Sequence, residues 1–167
     1  METGALVSIQ EYLSTSYDPD CEYVDGVIEE RNLGENDHAD LQTAIATCFR
    51  NHRKEWGVYA VVEQRVQVSP TRFRVPDVCV VAGGRPKEQI FRTPPLICIE
   101  ILSPEDRLSR VQERMSDYLE FGVEHVWLLD PATRKAFRWT REGMHEVTEL
   151  RTETPAIVIA LADLFEE

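Results

Sequence analysis

The sequence has few lysines and no long apolar run, and each shortage argues against a class of protein. Only Lys54, Lys87 and Lys135 are lysines, and the other fifteen basic residues are arginines. The net charge of −12 argues against a broad basic surface that clamps nucleic acid. No apolar run approaches the roughly 18 residues of a membrane helix, and the N-terminus lacks the pattern of a secretory signal. We therefore expect a cytoplasmic protein that does not enter a membrane.

Cysteine is also scarce and is not arranged for metal binding. Cys21, Cys48, Cys79 and Cys98 form no Cys-x-x-Cys pair, and three of them lie in apolar sequence, where a thiol behaves as a small hydrophobic group. The chain also lacks a Gly-rich phosphate loop, a Gly-x-Ser-x-Gly elbow and a His-Glu-x-x-His motif. Zinc sites, disulfide frameworks, nucleoside triphosphate chemistry and acyl transfer are therefore not expected.

The patterns that are present predict one α/β domain, residues 1–167, in which helices pack on a mixed β-sheet. Asn36 or Asp37 is expected to cap the second helix, and Val62, Val66 and Val68 are expected on one face of a single strand. The predicted order is a short helix capped by Ser8, a hairpin at 21–31, a helix carrying Leu41, Ile45 and Phe49, strands at 58–68, 75–82 and 96–102, a helix at 107–121, a strand at 126–129, and a small β tail with a hairpin near 133–134 and a strand at 156–160.

Two carboxylates lie where burial makes them costly. Asp77 begins an apolar strand after Pro76, and Glu100 lies within the apolar run 96–102. If these strands pair, both acids reach one place, where their repulsion can be relieved by a hard divalent cation such as Mg²⁺ or Mn²⁺. The structural alternative is that Asp77 caps a turn and Glu100 pairs with a buried arginine, either Arg114 or Arg65.

Arginines near these acids could contact phosphate. Arg107, Arg110 and Arg114 recur at intervals of three and four and so share one side of a helix. Such a row is more often a solvated face that is paired with acids, and Asp106, Glu113, Asp117 and Glu120 are nearby. The segment Arg72-Phe73-Arg74 is the better candidate for a local basic contact.

Pro76-Asp77 followed by Glu100-Ile101-Leu102 resembles the Pro-Asp…Glu-x-Lys nuclease superfamily, and within it the Uma family of restriction endonucleases. Supporting features are the segment EYVDG at 22–26, His38, and the segment YLEFGVEHVWLLDP at 118–131. The resemblance extends from about Ser8 to Trp139. It implies a restriction-endonuclease-like core sheet with the acids at its centre, flanking helices, and nucleic acid as the substrate.

The resemblance also implies roles for individual residues. Asp77 and Glu100 would be metal ligands, with the carbonyl of Ile101 as a third. Glu22 would be an outer ligand or a water-binding acid. His38 would stand at the edge of the site, although a helix-terminal residue that touches only solvent is an equal alternative.

The chain departs from the superfamily at the catalytic lysine. The position two residues after Glu100 is Leu102, and the position on the following helix where this family usually carries the lysine is Arg114. Arginine stays charged and can stabilise negative charge on a phosphate, but it does not act as a general base.

Three functions therefore remain open. The first is a Mg²⁺- or Mn²⁺-dependent endonuclease with Asp77, Glu100, Arg114 and Glu22 in the site. The second is an inactive, nuclease-like interaction module, which the missing lysine and the acidic composition favour. The third is a hydrolase of small phosphodiesters, which suits the net charge of −12. The apolar strands and the β tail predict self-association, with a homodimer as the expected form.

Overall fold

The computed structural model describes residues 5–32 and 34–165. Within these residues the chain forms short and long helices around three β-sheets. The helices are α1 (Ile9–Ser14), α2 (Asn36–Asn51), α3 (Arg53–Trp56), α4 (Leu108–Phe121) and α5 (Leu161–Leu164). The strands are β1 (Cys21–Val24), β2 (Val27–Glu30), β3 (Val58–Val62), β4 (Val66–Ser69), β5 (Arg72–Arg74), β6 (Val78–Ala82), β7 (Ile97–Ile101), β8 (His125–Asp130), β9 (Lys135–Thr140), β10 (Gly143–Val147), β11 (Glu149–Thr152) and β12 (Ile157–Ala160).

The central sheet has six strands in the order β10-β9-β8-β7-β6-β3. Its pairs are antiparallel except for β7 and β8, which are parallel and are connected through α4. A second sheet has the order β2-β1-β5-β4, and β11 pairs with β12. The predicted fold class, a mixed sheet with flanking helices, is confirmed.

Alternation along β7 determines where Glu100 points. Ile97, Ile99 and Ile101 join the core cluster on the α2 side of the sheet, whereas Cys98 joins the cluster that contains buried residues of α4. Because successive side chains of a strand point to opposite faces, Glu100 points to the α4 side with Cys98. This apolar run therefore buries one acid against a helix.

The helix ends follow the sequence patterns, with one exception. The Ser8 side chain accepts a hydrogen bond from Glu11 N at 3.1 Å, and Gly122 ends α4 with φ +107, a conformation that suits glycine. At α2, however, the N-cap residue is Glu35, and it makes no side-chain capping bond. The prediction that Asn36 or Asp37 caps this helix was wrong by one or two residues.

The predicted single strand at 58–68 is two strands in two different sheets. β3 is at the edge of the six-stranded sheet, and β4 pairs with β5 in the four-stranded sheet. The chain turns at Glu63, which has φ +50, so Val62 is 48% exposed while Val66 and Val68 are buried beside α4. A run rich in valine hides such a break, because the residues on both sides favour strands equally.

The C-terminal part also differs from the prediction. The hairpin at 133–134 joins β8 to β9 and thereby extends the central sheet, so the separate tail consists of β11, β12 and α5. Ile157 and Ile159 of β12 are buried in the core, and Val158 is exposed. Among the described helices, none is both long and apolar enough to cross a membrane.

Candidate active site

A cleft of about 390 Å³ opens beside the start of β6 and the end of β7. The predicted residues Asp77, Glu100, Ile101, His38 and Arg114 all line it. The structure therefore brings together five of the six site residues that the sequence singled out, from α2, α4 and the two strands. The sixth, Glu22, lies behind this group on β1 and is 1% exposed.

Asp77 is fixed by backbone contacts on both sides. Its Oδ2 accepts a hydrogen bond from Ile101 N at 2.8 Å, which ties the head of β6 to the end of β7. Its backbone carbonyl accepts a hydrogen bond from Gln42 Nε2 of α2 at 2.9 Å. Since Ile101 follows Glu100, this geometry places the two acids at the same edge of the sheet.

Two cationic groups hold Asp77 in its charged form. Arg31 Nη2 lies 2.9 Å from Oδ1, and His38 Nε2 lies 3.4 Å from Oδ2. Burial opposes ionisation of Asp77, but these contacts outweigh it and lower the pKa of the carboxyl below its usual value. The hydrogen bond with Asp77 in turn raises the pKa of His38. His38 is therefore a member of the site and not a residue that touches only solvent.

The pKa of Glu100 is shifted in the direction opposite to that of Asp77. It is 5% exposed, its Oε1 accepts a hydrogen bond from the Tyr118 hydroxyl, and Arg114 Nε lies 3.9 Å from the same oxygen. Burial, with the nearby charges of Asp77 and Glu22, raises the pKa of Glu100 well above its usual range, and Arg114 only partly opposes this. Of the two partners that the sequence offered, Arg114 makes the contact, while the Arg65 guanidinium lies over the Tyr12 ring.

Glu22 connects the site to a buried ion-pair network. Its Oε1 accepts a hydrogen bond from Val75 N at 3.0 Å and lies 3.3 Å from Arg114 Nε, and its Oε2 accepts one from Arg74 Nη1 at 3.0 Å. Both oxygens therefore have donors. An outer-ligand role for Glu22 would require one of these donors to be displaced.

The segment Arg72-Phe73-Arg74 is not a phosphate contact, and this prediction was wrong. Arg74 is 1% exposed and contacts Glu22, Glu29 and Asp117. Arg72 contacts Asp117 as well, and also Asp25 and Glu113. The segment forms β5 between β1 and β4, where Phe73 packs into the core and the two arginines neutralise buried acids.

Arg114 stands where the lysine was expected. Leu102 packs against the apolar cluster on the α4 side, and the described residues that line the cleft include no lysine. Arg114 is 16% exposed, and burial opposes its charge while Glu100 and Glu22 raise its pKa and keep it charged. Among the described residues, every ion-pair contact of Arg114 is made by Nε.

The donors at this edge fit a hard cation that takes few protein ligands. Asp77 and Glu100 supply carboxylates and Ile101 a carbonyl, and Mg²⁺ commonly takes one or two carboxylates and keeps several waters. No cluster of three or more His, Cys, Asp or Glu side chains with metal-binding geometry occurs in residues 5–32 and 34–165. Burial is the main cause of the raised pKa of Glu100, and Asp77 and Glu22 add a repulsion that a cation would relieve.

Arg31 and Tyr118 contact the two acids but were not selected from the sequence. Tyr118 carried a usable signal, because it follows Arg114 by four residues and so lies on the same side of α4. Arg31 follows β2 and is 46 residues from Asp77 in the sequence, so only the fold brings the two side chains together. Spacing alone could not identify that contact.

Comparison with known proteins identifies the family and the fold of the chain. A family model described as "Putative restriction endonuclease", named Uma2, matches residues 9–166. A crystal structure described as a putative nuclease belonging to DUF820 from Anabaena variabilis ATCC 29413 has the same fold, with a TM-score of 0.83 and 22% sequence identity over 95% of this chain and 97% of that one. No curated protein matches the chain. Because the family match spans nearly the whole sequence, the resemblance is confirmed and the protein belongs to the Uma2 family.

Proposed function

We propose that this protein is a Mg²⁺- or Mn²⁺-dependent phosphodiesterase of the endonuclease type that hydrolyses nucleic acid in the cytoplasm. Membership of a family described as "Putative restriction endonuclease" supports the nuclease class. The observation that carries the proposal is the meeting of Asp77, Glu100 and Arg114 in one cleft. Two acids with opposite pKa shifts beside a permanently charged arginine are typical of a catalytic site.

Asp77, Glu100 and the carbonyl of Ile101 are the groups that would hold the cation. When bound, Mg²⁺ or Mn²⁺ supplies Lewis-acid polarisation of a phosphoryl oxygen. Asp77 is oriented by Ile101 N and has a lowered pKa, whereas the raised pKa of Glu100 opposes the carboxylate form that a cation would need. A cation held here would therefore bind more tightly as pH rises, because it would favour the carboxylate form of Glu100.

Arg114 is the group that would stabilise negative charge on the phosphate in the transition state. Nε rests against Glu22 and Glu100, so the guanidinium is held in place at the cleft. Glu22 acts here as a positioning residue, since its carboxylate is fixed by Val75 N and Arg74. A guanidinium cannot accept the proton of the attacking water, so Arg114 supplies electrostatic stabilisation only.

The test is Mn²⁺-dependent cleavage of DNA and RNA by the wild type and matched variants. Asp77→Asn and Glu100→Gln are expected to lose at least 10²-fold in rate, whereas Glu63→Gln, a half-exposed acid of the same cleft, stays within about twofold. Arg114→Lys is expected to keep or raise activity, and Arg114→Gln to lose it. Loss of activity in Arg114→Lys with retained folding contradicts the role of Arg114.

A second candidate function is an inactive interaction module with the same fold. It is favoured by a specific observation: Arg31 and Arg114 already lie beside the two acids, as a cation would. Thermal unfolding with Mn²⁺ separates the two candidates. An increase in melting temperature that Asp77→Asn abolishes supports the enzyme, and an unchanged melting temperature supports the module, because a ligand of the native state raises its stability.

A further inference from the structure

A row of arginines extends from the cleft along the N-terminal half of α4. Arg107 is the N-cap residue of this helix, and Arg110 and Arg114 follow at intervals of three and four. Arg114 lines the cleft, and so does Asp106, the neighbour of Arg107. Four residues of helix advance by about 6 Å, so Arg110 lies roughly that distance beyond Arg114 along the helix axis.

The nearby acids do not neutralise Arg107 and Arg110. Glu113 and Asp117 contact Arg72 and Arg74 of β5 instead.

Asp106 accepts hydrogen bonds from Ser103 N at 2.7 Å and from Asn32 Nδ2 at 2.9 Å. Arg107 and Arg110 are exposed, and neither has an acid within 4.0 Å in residues 5–32 and 34–165. For these two arginines the predicted solvent exposure is confirmed, whereas the predicted pairing with acids is not found in the described residues.

We propose that Arg107 and Arg110 bind backbone phosphates next to the one that Arg114 contacts, so that the substrate is a polynucleotide strand and not a small phosphodiester. This inference rests on the proposed function, because Arg114 marks the reacting phosphate. A step of about 6 Å along α4 is of the same order as the distance between successive phosphates along a polynucleotide strand.

The charges that line the cleft favour a nucleic-acid strand that runs along α4. Asp18, Asp20 and Glu63 line other parts of the cleft and repel phosphate, whereas Arg114 lines it on α4 and Arg107 and Arg110 follow on the same side of that helix. A strand that follows this row would meet three arginines in a chain whose net charge is −12.

Binding is tested first, in EDTA, by fluorescence anisotropy with labelled single-stranded DNA, its duplex, and RNA of the same sequence. The double variant Arg107→Gln/Arg110→Gln is expected to bind single strands about tenfold more weakly than wild type, with a slope of log K against log[salt] that is smaller by about 1.4. The control Arg53→Gln/Lys54→Gln removes two exposed charges from α3 and is expected to stay within twofold. Equal losses in the two double variants, or no loss in either, overturn the proposal, and the three probes show which nucleic acid binds best.

Hydrolysis in Mn²⁺ then separates this inference from the proposed function. The ratio of kcat/KM on an oligonucleotide to that on bis(4-nitrophenyl) phosphate is expected to fall at least fivefold in Arg107→Gln/Arg110→Gln. An unchanged ratio overturns the proposal that Arg107 and Arg110 bind phosphate, but it does not contradict the proposed nuclease function. If the wild type hydrolyses neither substrate but the anisotropy difference persists, the proposed function fails and the binding site stands.

Discussion

Arg74 shows how one side chain can support the site without reaching it. It is 1% exposed and lies 2.8–3.2 Å from Asp117, Glu22 and Glu29. Its Nη2 lies 3.6 Å from Glu113, too far for a hydrogen bond. Its positive charge is thus enclosed by carboxylates that depend on it.

We expect Arg74→Met to lower the free energy of unfolding by about 3–5 kcal/mol, because removal of one partner leaves buried carboxylates uncompensated. The control Arg151→Met breaks an exposed pair with Glu149 and is expected to change the free energy of unfolding far less. Urea unfolding of both variants measures the difference. Similar losses of unfolding free energy in the two variants would show that Arg74 contributes little net electrostatic stabilisation to the buried network.

His38 predicts a pH dependence of stability in metal-free buffer. Because Asp77 raises the pKa of His38, the contribution of the charged imidazole is complete below the unfolded value of 6.5 and is lost as pH rises through the folded pKa. The stability difference between wild type and His38→Asn is therefore expected to shrink from pH 5.5 to pH 9. Melting temperatures across this range measure it.

His125 is a control for which the stability difference is expected to change with pH in the opposite direction. Burial lowers its pKa, so the neutral ring is favoured in the folded state and wild-type stability improves relative to His125→Asn as pH rises. A His38 difference that stays constant, or that grows with pH as the His125 difference does, would contradict the pairing of His38 with Asp77.

At the scale of elements, the break between β3 and β4 positions Asp77. Glu63 has φ +50, and its backbone N–H donates a hydrogen bond to the Asp77 carbonyl at 3.2 Å. We expect Glu63→Ile to destabilise the protein by about 1–2 kcal/mol, because a β-branched residue is strained in this conformation, whereas Glu63→Asn is expected to be neutral. Chemical denaturation compares the two, and equal stabilities would show that the turn relaxes at no cost.

The elements that the sequence predicted well are those with a local signal. Helical spacing indicated the buried faces of α2 and α4, and Gly122 marked the end of α4. The acids Asp77 and Glu100 were found because each lies next to apolar residues, where a charge is costly. These signals require only neighbours along the chain.

The features that the sequence did not predict depend on contacts between residues that are far apart in the chain. The division of 58–68 between two sheets follows from β5, which pairs with both β1 and β4. The same pairing turned Arg72 and Arg74 from candidate phosphate contacts into partners of Asp117, more than 40 residues away. A charged residue has the same local pattern whether an acid or a ligand faces it.

At the scale of the whole molecule, the predicted homodimer stays a prediction. The apolar tail that suggested it places Ile157 and Ile159 in the protein's own core and exposes only Val158 among the three. Sedimentation velocity tests the prediction, since a dimer has twice the 19.2 kDa of the chain. A single species of monomer mass at micromolar concentration would contradict it.

The acidic composition also has a whole-molecule consequence for the cation site. Six acids line the cleft and come from four separate segments of the chain, at 18–20, 63, 77 and 100–106, so the cleft exists only in the folded state. Cation binding should therefore stabilise the native protein as well as enable catalysis. Binding can thus be measured without knowing the substrate.

The central claim is that Asp77 and Glu100 together hold a divalent cation, and titration calorimetry with Mn²⁺ tests it most directly. Wild type, Asp77→Asn and Glu100→Gln are compared, with Glu63→Gln as the control from the same cleft. We predict binding to wild type and Glu63→Gln, and loss of binding in both site variants. Unchanged binding in either site variant, or no binding to wild type at millimolar Mn²⁺, would contradict the claim.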